Sequence, residues 1–244
     1  MLPKMIGTIL NVAGILIGGT IGMTRRKPLS PAAEAYLKVT LSALTVFFGL
    51  RLTWQSFNGS FPEILKQLGI VLLALIVGRL VGRLLHLQKL SNGLGRRARG
   101  WIEKAKPEEP QRAGFGFKTC AVLFCAAPLG WLGAVQDGLS SYPYPLAIKA
   151  VVDGLATMGF VGMFGGGILL AAVPVLALQG TLTLLCAHLL GPFLSAHGLV
   201  DSVNAVGGLL VFSVALVMLG LKRIELADYL PSLAFAPLLT WLWH

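Results

Sequence analysis

Residues 145–170 read "PLAIKAVVDGLATMGFVGMFGGGILL". The run is apolar enough for lipid, yet Lys149 and Asp153 stand four residues apart near its start. From Gly154 to Val200 there is no Asp, Glu, Lys or Arg. A helix crosses a hydrocarbon layer of about 30 Å with about 20 residues, so this stretch is too long for one crossing. Gly165, Gly166 and Gly167 free the backbone in its middle and offer the break. Two spans, 146–165 and 167–191, follow from that division.

Six more apolar segments flank them, at 6–24, 37–55, 65–86, 117–135, 203–221 and 227–243. The composition agrees. The 244 residues are 55% hydrophobic and 12% charged, about half the charge of a soluble domain. Mean hydropathy is +0.78. An all-α polytopic membrane protein of about eight transmembrane helices is the expected fold class.

The net charge of +10 does not point to nucleic acid, because the cations cluster in short stretches between apolar runs. With eight spans and residues 87–117 in the cytoplasm, 16 of the 20 Lys and Arg residues fall on the cytoplasmic side. Lys4, Arg51, Lys66 and Lys149 remain outside. Fusing the fifth and sixth spans lowers the tally, so eight is preferred. Both termini are then outside the cytoplasm. At the N-terminus, Arg25, Arg26 and Lys27 follow the apolar run and only Lys4 precedes it, the wrong order for a cleaved signal peptide. A retained first span is expected.

The chain divides into a first membrane block, 1–86, a basic cytoplasmic loop, 87–117, and a second block, 118–244. Pro107 and Pro110 mark the middle segment as loop rather than helix, and attraction to anionic headgroups explains its charge. "LSALTVFFGLRL" (41–52) is echoed by "GGLLVFSVALVMLGLKRI" (207–224), each followed by a Pro-containing stretch entering another span. Spans 1–3 would correspond to spans 6–8 with opposite polarity, the inverted repeat of many secondary transporters.

Gly14, Gly18 and Gly22 recur every four residues beside Asn11, and Gly207 and Gly208 accompany Asn204. Small residues at this spacing let helices approach closely, and packing outweighs a substrate path along bared backbone. The same faces would permit a homodimer. Asp153 is different. It lies about 12 Å along its helix from Pro145, and a carboxylate at mid-membrane costs about 2.5–3.5 kcal/mol. Such a residue is a candidate solute or ion site, with Lys149 one turn away as tuning partner; a self-satisfied pair that only orients the helix is the alternative. Asp137–Gly138 in "GAVQDGLSSYPYP" most simply makes a turn and could instead hold a cation or solute. Gln179 and Gly180, after Pro174, suggest a mid-span irregularity. His188 reads as interfacial.

Cys120, Cys125 and Cys186 show no CxxC spacing and read as buried thiols, with no metal site. No HExxH, GxSxG or Walker loop is present, so no catalytic residue, enzyme activity or cofactor is expected.

"VLFCAAPLGWLGAVQDGL", "AVVDGLATMGF", "LALQGTLTLL" and "NAVGGLLVFSVALVMLGLKRI…LPSLAFAPLL" together resemble the bacterial membrane family of domain of unknown function 554, the YdfK/YqgA-like proteins. Asp137, Gly138, Asp153, Gln179, Gly207, Gly208 and Pro231 fall where that family places like residues. Ala127 stands where glycine is common, and Leu178 where tyrosine often precedes the glutamine. The resemblance implies a multi-pass protein of the bacterial inner membrane and supplies no substrate.

A small secondary transporter or channel-like protein follows as the expectation, moving an unknown small solute or ion across the bilayer. Its polar site would gather Asp153, Lys149 and Gln179 with Asn11 or Asn204. A non-transporting scaffold or sensor is the alternative.

Overall fold

The structure, a computed structural model, describes residues 5–24, 29–104 and 112–243. Lys4, the Arg25–Lys27 cluster, Lys106, Pro107 and Pro110 lie outside them. Among the described residues the secondary structure is helical throughout. α1 (Ile6–Thr24), α2 (Pro31–Gln55) and α3 (Phe61–Leu84) form the first block. Ser30 caps α2 by accepting the Ala33 amide, with Pro31 opening the helix. At α3 the Glu63 carboxylate reaches back to the Ser60 amide at 2.6 Å.

Residues expected as loop are instead helix α4 (Leu87–Lys104). The reason is periodic: Leu87, Leu90, Leu94, Ala98, Trp101 and Ile102 share one face, while Lys89, Arg96, Arg97, Arg99 and Lys104 occupy the other. Ala98 is buried, and α4 packs on α5. Asp228 caps α4 from a distant part of the chain, accepting the Gln88 amide at 2.8 Å; Gln88 Oε1 in return accepts the Ala227 amide. Asp228→Ala should cost about 1 kcal/mol. Hydrogen exchange should show it as faster exchange in the first turn of α4, with α1 and α7 unchanged.

α5 (Arg112–Ala126) and α6 (Pro128–Ser140) follow, bent by 57° at Ala127. Next come α7 (Tyr144–Phe164), a 3-10 turn (Gly166–Ala171) and α8 (Ala172–Leu185). A π segment (Cys186–Leu190) leads into α9 (Gly191–Ala196). α10 (Val200–Met218), α11 (Leu226–Tyr229) and α12 (Ser232–Leu242) complete the chain. The glycine break is real: Gly165 has φ +76 and ends α7. The irregularity expected at Gln179 is displaced. α8 runs regularly through it, and the departures are the 3-10 turn before and the π segment after.

Among the described residues six helical stretches are long and apolar enough to cross a membrane, and seven if the bent α5–α6 pair is one span. The eighth expected segment, Leu226–Leu242, falls short of span length. Ile17, Phe47, Leu80, Val173 and Leu189 are all more than half exposed, an apolar belt suited to lipid rather than water.

Chain directions are fixed by the seams. Gly14, Gly18 and Gly22 of α1 meet Ala150, Gly154 and Met158 of α7 in the same order, so the two helices run parallel. α2 and α10 are antiparallel through Gly49, Thr53 and Gly208. α3 and the α11–α12 arm are antiparallel through Gly78 on Ser232 and Gly82 on Asp228. α1 and α8 are antiparallel through Thr8 on Thr183 and Asn11 on Gln179.

Candidate functional site

Several buried polar residues, Asn11, Lys149, Asp153 and Gln179 among them, lie where α1, α6, α7 and α8 meet. Asp153 lies near the middle of α7, about 14 Å from Tyr144. Its carboxylate takes a direct hydrogen bond from Lys149, and the pair is almost fully buried. Asn11 lies beside the pair on α1. Asn11 Nδ2 donates to Gln179 Oε1 at 3.1 Å, tying α1 to α8. One turn away, Thr8 and Thr183 share a hydroxyl contact at 3.3 Å, and Thr183 donates to the Ala134 carbonyl at 3.2 Å. Asp153, Lys149, Gln179 and Asn11 therefore form one cluster.

The break between α5 and α6 adjoins it. Pro128, which lacks an N–H, takes the first position of α6, and no side chain caps that turn. The α6 N-terminus sits about 18 Å from the helix's other end. Gly130, in its first turn, faces the Lys149 stem and Gln179 Nε2. The Phe124 ring of α5 lies 5.7 Å from the Lys149 ammonium. Trp131 Nε1 donates to the Cys125 carbonyl at 3.0 Å, satisfying one orphan acceptor of the broken helix.

Asp137 and Asn204 lie apart from the cluster. Asp137 is not in a turn: it is buried in α6 and accepts the Gly7 amide at 2.9 Å. A carboxylate at the first turn of α1 satisfies orphan donors and opposes the helix dipole, so it works as a cap supplied by another helix. Asn204 Oδ1 accepts from Ser140 at 2.8 Å. Gly208 packs against Gly49, and Gly207 against the Gln136 amide. The glycine faces that would have permitted a homodimer are thus occupied within the chain.

Among the described residues, four buried polar side chains carry atoms without a hydrogen-bond partner: Asn11 Oδ1, Gln179 Nε2, Thr119 Oγ1 and both amide atoms of Gln136. Gln136 and Gly130 escaped sequence reading, although a glutamine inside "GAVQDGL" is a polar group in a span and could have been singled out. Two cavities open at opposite ends of the bundle. One, about 560 Å³, is lined by Gly22, Glu34, Lys38, Met158 and Met218. The other, about 440 Å³, is lined by Asn58, Glu63, Lys66, Gln67 and Asp201. Neither is lined by Lys149 or Asp153, so the cluster is closed between helices.

Residues 6–241 match the family described as protein of unknown function (DUF554). The chain is 28% identical over 241 residues to the uncharacterised membrane protein YdfK of Bacillus subtilis (strain 168), covering 98% of this chain and 97% of that one. It is 26% identical over 241 residues to the uncharacterised protein YqgA of Escherichia coli (strain K12), with the same coverage. No solved structure matches.

Proposed function

The chain belongs to the DUF554 family, matched from residue 6 to 241, and on that footing we propose that it is a small secondary transporter or channel-like protein of the bacterial inner membrane. The observation that carries the proposal is the Lys149–Asp153 pair, buried at mid-span against an uncapped helix break. Ionisable residues at that depth mark solute or ion pathways, and broken helices supply the termini that bind them. With the cluster sealed and cavities at both ends, the conformation is read as occluded.

Eight passes are supported by parity. Because α1 and α7 run parallel, the bent α5–α6 pair must traverse the bundle rather than return to its starting side. The antiparallel seam between α3 and the α11–α12 arm supports reading Leu226–Leu242 as the eighth pass, ending where Lys66 Nζ donates to the Trp243 carbonyl. An inverted repeat of spans 1–3 and 6–8 gains support likewise, since α1, α2 and α3 each pack antiparallel on the would-be counterpart, α8, α10 and α12. The arginines at the α3 end and the basic face of α4 favour that side as cytoplasmic, against anionic lipid, with Met1 and His244 outside.

One observation favours the rival scaffold or sensor role: the Lys149–Asp153 pair is already satisfied internally and could serve only to fix α7. Flux in proteoliposomes separates the two. Asp153→Asn should abolish uptake while leaving the protein folded by circular dichroism; unchanged uptake would remove Asp153 from the mechanism.

A further inference from the structure

α2 and α7 meet at the end of the bundle where α7 begins. The Phe48 and Tyr144 rings stack there with centroids 4.1 Å apart, and the Tyr142 hydroxyl donates to the Phe48 carbonyl at 2.8 Å. Toward the other end the two helices part, and the cavity of about 560 Å³ lies between them, backed by Gly22 of α1 and Met218 of α10. Its lining on α7 runs from Val152 to Gly162, a rise of about 15 Å along the helix. That is half of a hydrocarbon layer about 30 Å thick, the depth of one leaflet. Val152, Gly159 and Gly162 are exposed at positions within a span, so the wedge opens sideways to lipid.

We propose that this wedge seats an acyl chain of one phospholipid whose headgroup carries a primary ammonium, with the phosphate at Lys38 and the ammonium at Glu34. Leu37, Leu41, Val152, Leu155 and Met158 make its walls hydrocarbon. Water finds no partner on such walls, and an alkyl chain complements them. A helix of a second copy is about 10 Å across or more with its side chains, too broad for a wedge that narrows to the contact of two rings. A single chain fits the taper.

The mouth identifies the headgroup. Glu34 and Lys38 line the cavity one turn apart on α2, where the apolar segment of that helix begins. Side chains at this spacing stand about 5–6 Å apart at Cβ and can pair. These two do not, and neither has an ion-pair partner among the described residues. Opposite charges left apart complement a headgroup that holds a phosphate and an ammonium on a short link. The order agrees in depth: the phosphate of a phospholipid lies nearer its acyl chains than the ammonium does, and Lys38 lies one turn deeper along α2 than Glu34. An anionic headgroup would leave Glu34 unmatched, and a trimethylated ammonium has no N–H to donate to it. The wedge divides the close α1–α7 pair from the close α2–α10 pair, so its occupant sets their spacing at that end.

The test is native mass spectrometry of the full chain released from detergent after incubation with dioleoyl phosphatidylethanolamine, phosphatidylglycerol or phosphatidylcholine, with melting temperatures measured alongside. One ethanolamine lipid per chain should be retained, with a preference of about tenfold over the glycerol lipid, and should raise the melting temperature. Nothing lies within 4 Å of a Cβ at Gly159 or Gly162, so leucines there extend into the wedge and not into a neighbouring helix. Gly159→Leu with Gly162→Leu should therefore retain no lipid while melting as the lipid-free parent does. Glu34→Gln alters an exposed side chain and keeps the fold, so it serves should the double variant misfold. It should still retain a lipid but lose the preference for ethanolamine over glycerol headgroups, whereas Lys38→Gln should weaken retention of all three. No retained lipid, equal retention of the three lipids by the parent, retention undiminished in the filled variant, or an unaltered preference in Glu34→Gln overturns the proposal. A lipid-free dimer that falls to monomer when the wedge is filled overturns it too, and assigns the groove to a second copy.

Discussion

Gly18→Leu is expected to prevent the α1–α7 pair from forming. A Cβ at Gly18 would overlap the Gly154 carbonyl oxygen, and one at Gly14 would overlap that of Ala150. At Gly22 it would stand 2.7 Å from the Met158 oxygen. These are backbone atoms, which cannot rotate away as a side chain can. Lipid provides no hydrophobic drive between helices, so van der Waals closeness is most of what the seam has. Leucine forces α7 outward over its whole contact and carries Asp153, the neighbour of Gly154, away from Asn11. The cost should reach about 3 kcal/mol or more. Unfolding in mixed micelles, followed by circular dichroism, measures it. Gly69→Leu is the control, because nothing lies within 4 Å of the Cβ position there. A Gly18→Leu protein as stable as the control would mean that α1 and α7 are not in backbone contact.

That seam was partly legible in the chain itself. A glycine every fourth residue is a one-dimensional signal, and helix geometry turns it into a face. What it lacked was the partner, since Gly14 and Ala150 are joined by no pattern in sequence. The break at Gly165 was equally readable, because three glycines and the length of the uncharged run both demanded it. α4 was misjudged for an instructive reason. Pro107 and Pro110 terminate whatever precedes them and say nothing against a helix ending at Lys104, and the period of Leu87, Leu90 and Leu94 was the better guide. The bend at Ala127 followed the same logic in reverse: Pro128 opens a helix well but breaks the run expected over 117–135.

The candidate site divides along similar lines. Asp153 and Lys149 stood out because charge in an apolar run is rare, and their spacing placed them on one face. The Asn11–Gln179 bond joins residues 168 positions apart and could only be guessed from their polarity. Asp137 misled because Asp-Gly is the commonest turn signal, while its carboxylate in fact closes the first turn of another helix. Capping between distant helices leaves no local mark. Gly130 is the clearest case of a residue whose meaning is positional: its value lies in what Gln179 and Lys149 place beside it.

Lys149→Met should destabilise the protein by about 3–5 kcal/mol, the cost of leaving one member of a buried ion pair uncompensated. Both side chains are almost fully withdrawn from solvent, at 2% and 7% exposure, so screening does not soften the effect. The Asp153 carboxylate then loses the cation that was its hydrogen-bond donor. Lys149→Met combined with Asp153→Leu should recover most of the loss, since apolar groups of similar volume often replace a buried pair without penalty. The coupling between the two sites is then the recovered energy, obtained from four unfolding curves in one detergent mixture. Equal stability of Lys149→Met and the unmodified chain would show that the pair is not closed as described. The double variant also decides the role of the pair. A pair that only orients α7 predicts a folded double variant indistinguishable from the parent in every assay. A pair that exchanges partners during transport predicts a protein that is folded, stable and unable to move any solute, because the exchangeable charge is gone while the packing remains.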